Sequence, residues 1–171
     1  GLEDYWPQMP SRSRWIAAAT VVLVLISPAV RDTLRYAPYG TAYYNELVGG
    51  LRGAAEARMQ RQFWSFASRT ALDFVNADAP PDSNIDFQDA TRGTCEMLQR
   101  EGWMREDLGC ATRVRSPDVL LFDVEERFAE EEMRYWENMD TLGSVYEGGI
   151  DGVPLVRVYR RHAGLLNTPR R

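Results

Sequence analysis

The chain has 171 residues, enough for one domain with its own core, and its 44% apolar and 26% charged residues are ordinary globular proportions. A formal net charge of -5 argues against a nucleic-acid partner, which would need a basic face. All 20 Lys+Arg positions are arginine, so a Walker phosphate loop, which needs its lysine, is excluded. Beginning at Gly1 rather than Met, the chain reads as a fragment, a processed chain or an engineered piece, so that a function read here can belong to a larger protein.

Residues 1–14 are a polar segment that includes Glu3 and Asp4. Trp15 to Val30 then runs for sixteen residues without a charge. A spanning helix needs about 20 apolar residues, so this run sits just under the usual length. Arg12, Arg14 and Trp15 flank one end, and Arg31, Arg35 and Tyr36 the other, as interfacial anchors do. The segment 15–35 therefore reads as a transmembrane helix, ahead of a buried core helix or a signal peptide. The arginines are balanced across it, so charge does not orient it.

Ala37-Pro38-Tyr39-Gly40 predicts a turn. From Thr41 to Gln60 the apolar residues Tyr44, Leu47, Val48 and Leu51 recur at helical spacing, with a break or bend at Gly49-Gly50. No strand precedes these glycines, so a dinucleotide fingerprint does not fit; they read as positions of close packing or bending. Phe63 to Asn76 predicts a second helix, stopped by Ala79-Pro80-Pro81-Asp82.

Ile85 and Phe87 alternate with polar neighbours and predict a short strand. Thr91 to Glu101 predicts an amphipathic helix ending near Gly102. Asp118 to Val124 is a continuous apolar run suited to a buried strand. Glu125 to Met139 predicts a helix. Ser144–Glu147, Gly148-Gly149 and Val153–Tyr159 predict a hairpin, and a loose basic tail, 162–171, follows. The expected fold is α/β: an N-terminal transmembrane helix, a helical juxtamembrane region over 36–82, and a small α/β domain over 83–161. Its sheet is mixed, with a parallel pair and an antiparallel edge, and ends in the β-hairpin.

Few residues suggest chemistry. His162 is the one histidine and sits beside Arg160 and Arg161 in the tail, where it reads as exposed. Two cysteines and one remote histidine give no metal-ligand spacing. Glu125, Glu126, Glu130, Glu131 and Glu132 read as a solvated helix face, with Arg127 and Arg134 as pairing partners, ahead of acid–base or cation-binding roles. Cys95 and Cys110 are bridged in an oxidising compartment or two free thiols in a reducing one. Arg31 and Arg35 share a helical face, so they anchor the helix at the interface or hold a lipid phosphate.

The segment APYGTAYYNELVGGLRGA, then FWSFASRTALDFVNADAPPDSNI and the terminal GVPLVRVYRR, resembles the C-terminal part of bacterial family 39 membrane glycosyltransferases. These have a GT-C fold and are related to the dolichyl-phosphate-mannose protein mannosyltransferases. The residues that match are Pro38, Tyr39, Tyr43, Tyr44, Asn45, Gly49, Gly50, Gly53, Ala54, Trp64, Pro80 and Pro81, and near the end Val153, Pro154, Leu155, Val158 and Tyr159. One departure is Ser65-Phe66-Ala67, where the family often has Gly-x-Gly. The resemblance implies a last transmembrane helix and an extracytoplasmic domain at the bacterial inner membrane. Its implied partners are membrane lipid, the remaining transmembrane helices of the same enzyme and an acceptor. It also implies a polyprenyl-phosphate sugar as donor of the whole enzyme. The family's catalytic acidic residue lies in an early extracytoplasmic loop with no counterpart here, so this portion is expected to be non-catalytic. The alternative is a single-span membrane-anchored interaction domain.

Overall fold

The computed structural model describes residues 11–37, 39–63, 66–111, 117–139, 141 and 143–161. Pro38, Trp64, Ser65 and His162 lie outside the described residues. The chain divides into two compact units, one ending at Gly40 and one running from Thr41.

Among the described residues, the first unit contains the helix α1 (Ser11–Tyr36). At 1.5 Å per residue its 26 residues measure about 39 Å, longer than the roughly 30 Å hydrocarbon core of a bilayer. Six consecutive apolar residues, Val21 to Ile26, are all exposed, so the helix is apolar around its circumference. It is long and apolar enough to cross a membrane; none of its most apolar stretch is buried, while Asp32 and Tyr36 near its end are. Three of its hydroxyl side chains donate to its own backbone. Thr20 and Thr33 donate to the carbonyls of Ile16 and Ala29 at 2.9 and 2.7 Å. Pro28 has no N–H to give the Val24 carbonyl four residues back; the Ser27 hydroxyl donates to that carbonyl instead, at 3.3 Å. In hydrocarbon, where water cannot step in, that replacement is what makes an internal proline tolerable.

In the second unit short 3₁₀ turns at Gly40–Ala42 and Glu46–Val48 lead into α2 (Gly50–Glu56). The expected helix over 41–60 is thus broken into three pieces, because Asn45 and two left-handed glycines interrupt it. The next helical segment opens as a 3₁₀ stretch at Phe66–Ala71 and becomes α3 (Leu72–Asp78), so Phe63 lies ahead of it. Then come β1 (Asn84–Phe87), α4 (Arg92–Arg100), β2 (Gly109–Cys110), β3 (Val119–Asp123), α5 (Ala129–Met139), β4 (Tyr146–Ile150) and β5 (Val153–Arg160). Thr91 caps α4 by accepting from the Thr94 N–H, and Gly102, at φ 75°, follows its end.

The five strands form one mixed sheet in the order β2-β1-β3-β5-β4. β1 runs parallel to β2 and β3; β5 runs antiparallel to β3 and β4. The two-residue β2 has no counterpart in the sequence expectation, since two ladder positions leave no periodic trace. The hairpin turn is also displaced. It is Asp151-Gly152, both at positive φ as a two-residue hairpin loop requires, while Gly148-Gly149 lies inside β4 where the register slips.

Opposed residues share a face, so register assigns the two sides. Phe87, Leu121, Asp123, Val156, Val158 and Tyr146 share one face, which the segment 66–78 covers; Phe74 stacks on Tyr146 with ring centroids 4.8 Å apart. Leu120, Phe122 and Tyr159 share the other, where they form a buried cluster with Met139, and Phe128, Tyr135 and Trp136 pack against it. All five residues of β3 are buried, as a central strand with both faces covered requires.

The acidic run is only partly a solvated face. Arg134 pairs with Glu130 at 3.9 Å, while Arg127 reaches Asp89 at 3.6 Å. Glu132, however, accepts from Arg157 at 2.9 Å and from the Tyr159 hydroxyl. Burial, and then the neighbouring Glu132, push the Tyr159 phenol up to about 12. Glu125 is buried as well, because the end of β3 carries it inward.

Candidate functional site

The family-like residues come together as an elbow at the start of the second unit. Asn45 has an extended backbone, and its Oδ1 accepts from the Leu47 and Val48 N–H groups at 3.1 and 3.3 Å. Its own carbonyl accepts from the Gly50 N–H at 3.1 Å. An asparagine suits this task because its short side chain can replace the missing preceding turn. Gly49 and Gly50 follow at φ 81° and 64°, the left-handed region that L side chains avoid. The chain thereby reverses into α2, whose Leu51 and Ala54 are fully buried.

Gly53 completes the elbow for a different reason. A Cβ there would drive into the Val48 carbonyl oxygen, with the carbonyl carbon 2.9 Å away. The third glycine is a close approach of two backbones. Tyr44 fastens the other end by donating its hydroxyl to the Gln60 carbonyl. What all these constraints hold out is Leu47, 96% exposed; Val48 after it and Tyr43 four residues before it are 41% and 45% exposed.

A second set of contacts fixes the chain after the elbow to the sheet. Glu125, just past β3, accepts from the Arg61 and Gln62 backbone N–H groups at 3.0 and 2.9 Å. The Gln62 side chain donates to Asp123 Oδ1 and to the Leu155 carbonyl, both at 3.0 Å, and accepts from the Ala67 N–H at 3.0 Å. Ser68 donates to the same Asp123 oxygen at 2.9 Å. Sequence reasoning missed this node, whose members lie some sixty residues apart.

The chain leaves β1 on one face of the sheet and β3 on the other. In open α/β sheets such a switch point is the usual ligand crevice. Here it is bridged, by Asp89 with Arg127 and by Gln88 donating to Glu131 at 2.8 Å. A pocket of about 260 Å³ lies to one side, walled by Phe66, Phe87 and Leu98 and rimmed by Arg69, Thr94 and Glu101. The Arg69 guanidinium lies 3.8 Å over the Trp103 ring and pairs with no carboxylate among the described residues.

Arg31 and Arg35 sit one turn apart near the end of α1, both exposed. Of the other matched residues, Leu155, Val158 and Tyr159 are buried in the central part of the sheet, which accounts for them by packing. Cys95 and Cys110 are joined by a disulfide with a Cα–Cα distance of 5.7 Å, tying α4 to β2. Its loop of 15 residues predicts that a Cys95→Ser, Cys110→Ser variant loses about 3 kcal/mol of stability, measured by denaturant unfolding beside the oxidised parent.

Comparison with family models, with curated proteins and with solved structures returned no match.

Proposed function

We propose that this chain is the terminal portion of a membrane glycosyltransferase that takes its sugar from a polyprenyl-phosphate carrier. The observation that carries the reading is that Tyr44, Asn45, Gly49, Gly50 and Gly53 act as one elbow, close behind a helix apolar enough for lipid. In this reading the second unit lies on the extracytoplasmic side and caps or shapes the acceptor entrance without doing chemistry itself. The Cys95–Cys110 bridge favours that side, because disulfides persist in oxidising compartments. Arg31 and Arg35 supply a guanidinium pair where the helix leaves the membrane, and a forked donor suits a carrier phosphate.

The test is turnover by the intact enzyme in membranes offered polyprenyl-phosphate sugars. Sugar release is expected, with Arg31→Gln and Arg35→Gln each weakening the apparent donor affinity by roughly tenfold to a hundredfold, the scale of one charged hydrogen bond. Arg→Lys at either position keeps the charge but removes the fork, and is expected to recover only part of the loss. A C-terminal reporter that folds only outside the cytoplasm is expected to be active. No turnover with any donor, together with a silent reporter, would leave the single-span interaction domain as the surviving account.

A further inference from the structure

We propose that the elbow is a membrane-interface anchor: Leu47 inserts into the lipid surface of the bilayer that α1 crosses. The inference goes beyond the glycosyltransferase reading and does not need it; it needs only that α1 crosses a bilayer.

The first ground is the cost of what is exposed. Isolated apolar residues on a surface are common and need no explanation. Leu47 differs because the chain is built to hold it out. Asn45 Oδ1 takes up the N–H groups of Leu47 and Val48, so neither peptide can turn to let the side chain fold inward. The Gly49 N–H is likewise committed to the Glu46 carbonyl, at 3.0 Å. Gly53 meets the Val48 carbonyl backbone to backbone, which fixes the turn against the start of α2. The result is a stiff turn with a leucine 96% exposed at its tip. Stiffness matters for an anchor, since a preformed turn gives up little conformational freedom when its tip enters lipid.

The second ground is the tether, which selects lipid as the occupant. Tyr36 ends α1 and Leu47 follows eleven residues later, so covalent geometry alone keeps Leu47 within about 40 Å of the helix end. The outer part of that helix lies in the interfacial layer if its apolar run is centred in the bilayer. Nearby composition fits the layer too. Tyr43, four residues before Leu47, is half-exposed, and tyrosine is enriched at headgroup depth, where one end is apolar and the other wet. Glu46 neighbours the tip and is exposed, which sets the depth: the leucine enters while the carboxylate stays among headgroups. The backbone at this depth also needs its own hydrogen bonds, and the turn meets its need at Leu47, Val48, Gly49 and Gly50 from within.

The chain lends itself to a direct test. Its two cysteines are bonded to each other, so a Leu47→Cys substitution provides a single reactive thiol, and at so exposed a site the change leaves the fold intact. The full chain is reconstituted in phosphatidylcholine vesicles with an environment-sensitive fluorophore on that thiol. It is read with nitroxide-bearing lipids and, separately, with aqueous iodide. Glu137→Cys, on the exposed side of α5, reports a water-facing position, and Leu23→Cys reports the span. At Leu47 the lipid nitroxide is expected to quench at least twofold more than at Glu137, and iodide at least twofold less. Adding Gly53→Ala to Leu47→Cys is expected to move the label toward the Glu137 pattern, because the elbow loses its shape. Iodide quenching equal to that at Glu137 overturns the proposal. Shielding from both quenchers also overturns it, in favour of a protein surface over the leucine. Lipid quenching absent at Leu23 as well removes the membrane premise itself, and with it the glycosyltransferase reading. Failure at Leu47 alone leaves that reading standing.

Discussion

Gly53→Ala is expected to lower the melting temperature by roughly 10–20 °C, the counterpart of about 4 kcal/mol in a unit of this size. Most overpacked sites cost about 1–3 kcal/mol because a neighbouring side chain can swing aside. Here the added methyl meets the Val48 carbonyl, and no rotamer change moves a carbonyl. Shifting it requires breaking the Asn45 cap, whose acceptor holds the very peptides that precede it. Gly49→Ala is expected to cost less, about 1–2 kcal/mol, chiefly for a left-handed residue that has a Cβ. Its Cβ would stand 3.2 Å from Gly53, which is tight but not impossible. Gly143→Ala, with nothing within 4 Å of the new methyl, serves as the near-neutral control. Thermal melts of the three variants and the parent, in the same detergent, check the ranking. A Gly53→Ala melt within 3 °C of the parent would mean the elbow is not the rigid element described above.

Much of this architecture was legible in the sequence because it depends on local pattern. The charge-free run from Trp15 to Val30 gave α1, and the apolar stretch before Val124 gave the central strand. Thr91 and Gly102 bracketed α4 closely. The expectation at 41–60 failed where tertiary geometry overrode periodicity. Tyr44, Leu47, Val48 and Leu51 do recur at helical spacing, yet Leu51 is buried and Leu47 points away from the protein. A helix would have placed them on one stripe; the capped turn sends them apart. Asp151-Gly152 carried a hairpin signal, but Gly148-Gly149 lay nearer the middle of the segment and drew the turn to itself. The acidic run shows a further limit. Composition made all five glutamates look alike, whereas their positions relative to β3 and β5 bury Glu125 and bring Glu132 onto Arg157.

The second large effect lies in what the sequence could least reveal. Gln62→Ala is expected to cost roughly 2–4 kcal/mol, although Gln62 stands in a polar stretch with no motif around it. Gln62 is 3% exposed, and its side chain makes three hydrogen bonds among the described residues: two donated, to Asp123 and the Leu155 carbonyl, and one accepted from the Ala67 N–H. Truncation leaves the Ala67 N–H without the Gln62 acceptor and takes the Gln62 donor from Asp123 Oδ1, while the Leu155 carbonyl keeps its bond from the Val124 N–H at 2.9 Å. Each stranded buried group costs about 1–3 kcal/mol, more where a charged group is involved. An exposed pair makes the contrast: Arg52 and Glu56 are 3.1 Å apart on α2, yet Arg52→Ala is expected to change stability by less than about 0.5 kcal/mol. The node also predicts coupling. Gln62 and Ser68 donate to the same Asp123 oxygen, so losing one alters the worth of the other. A double-mutant cycle of Gln62→Ala with Ser68→Ala, read by urea unfolding, is expected to give an interaction energy of about 0.5–3 kcal/mol. Gln62→Glu sharpens the cycle: it retains an acceptor for Ala67 but sets a second carboxylate against Asp123, so its stability should recover as pH falls and that carboxylate takes up a proton. If the Gln62 and Ser68 effects simply add, and Gln62→Glu is insensitive to pH, the link from the elbow to the sheet must run through the neighbouring contacts instead: Glu125 on the Arg61 and Gln62 backbone, and the Arg61 guanidinium on the Pro154 carbonyl at 3.2 Å.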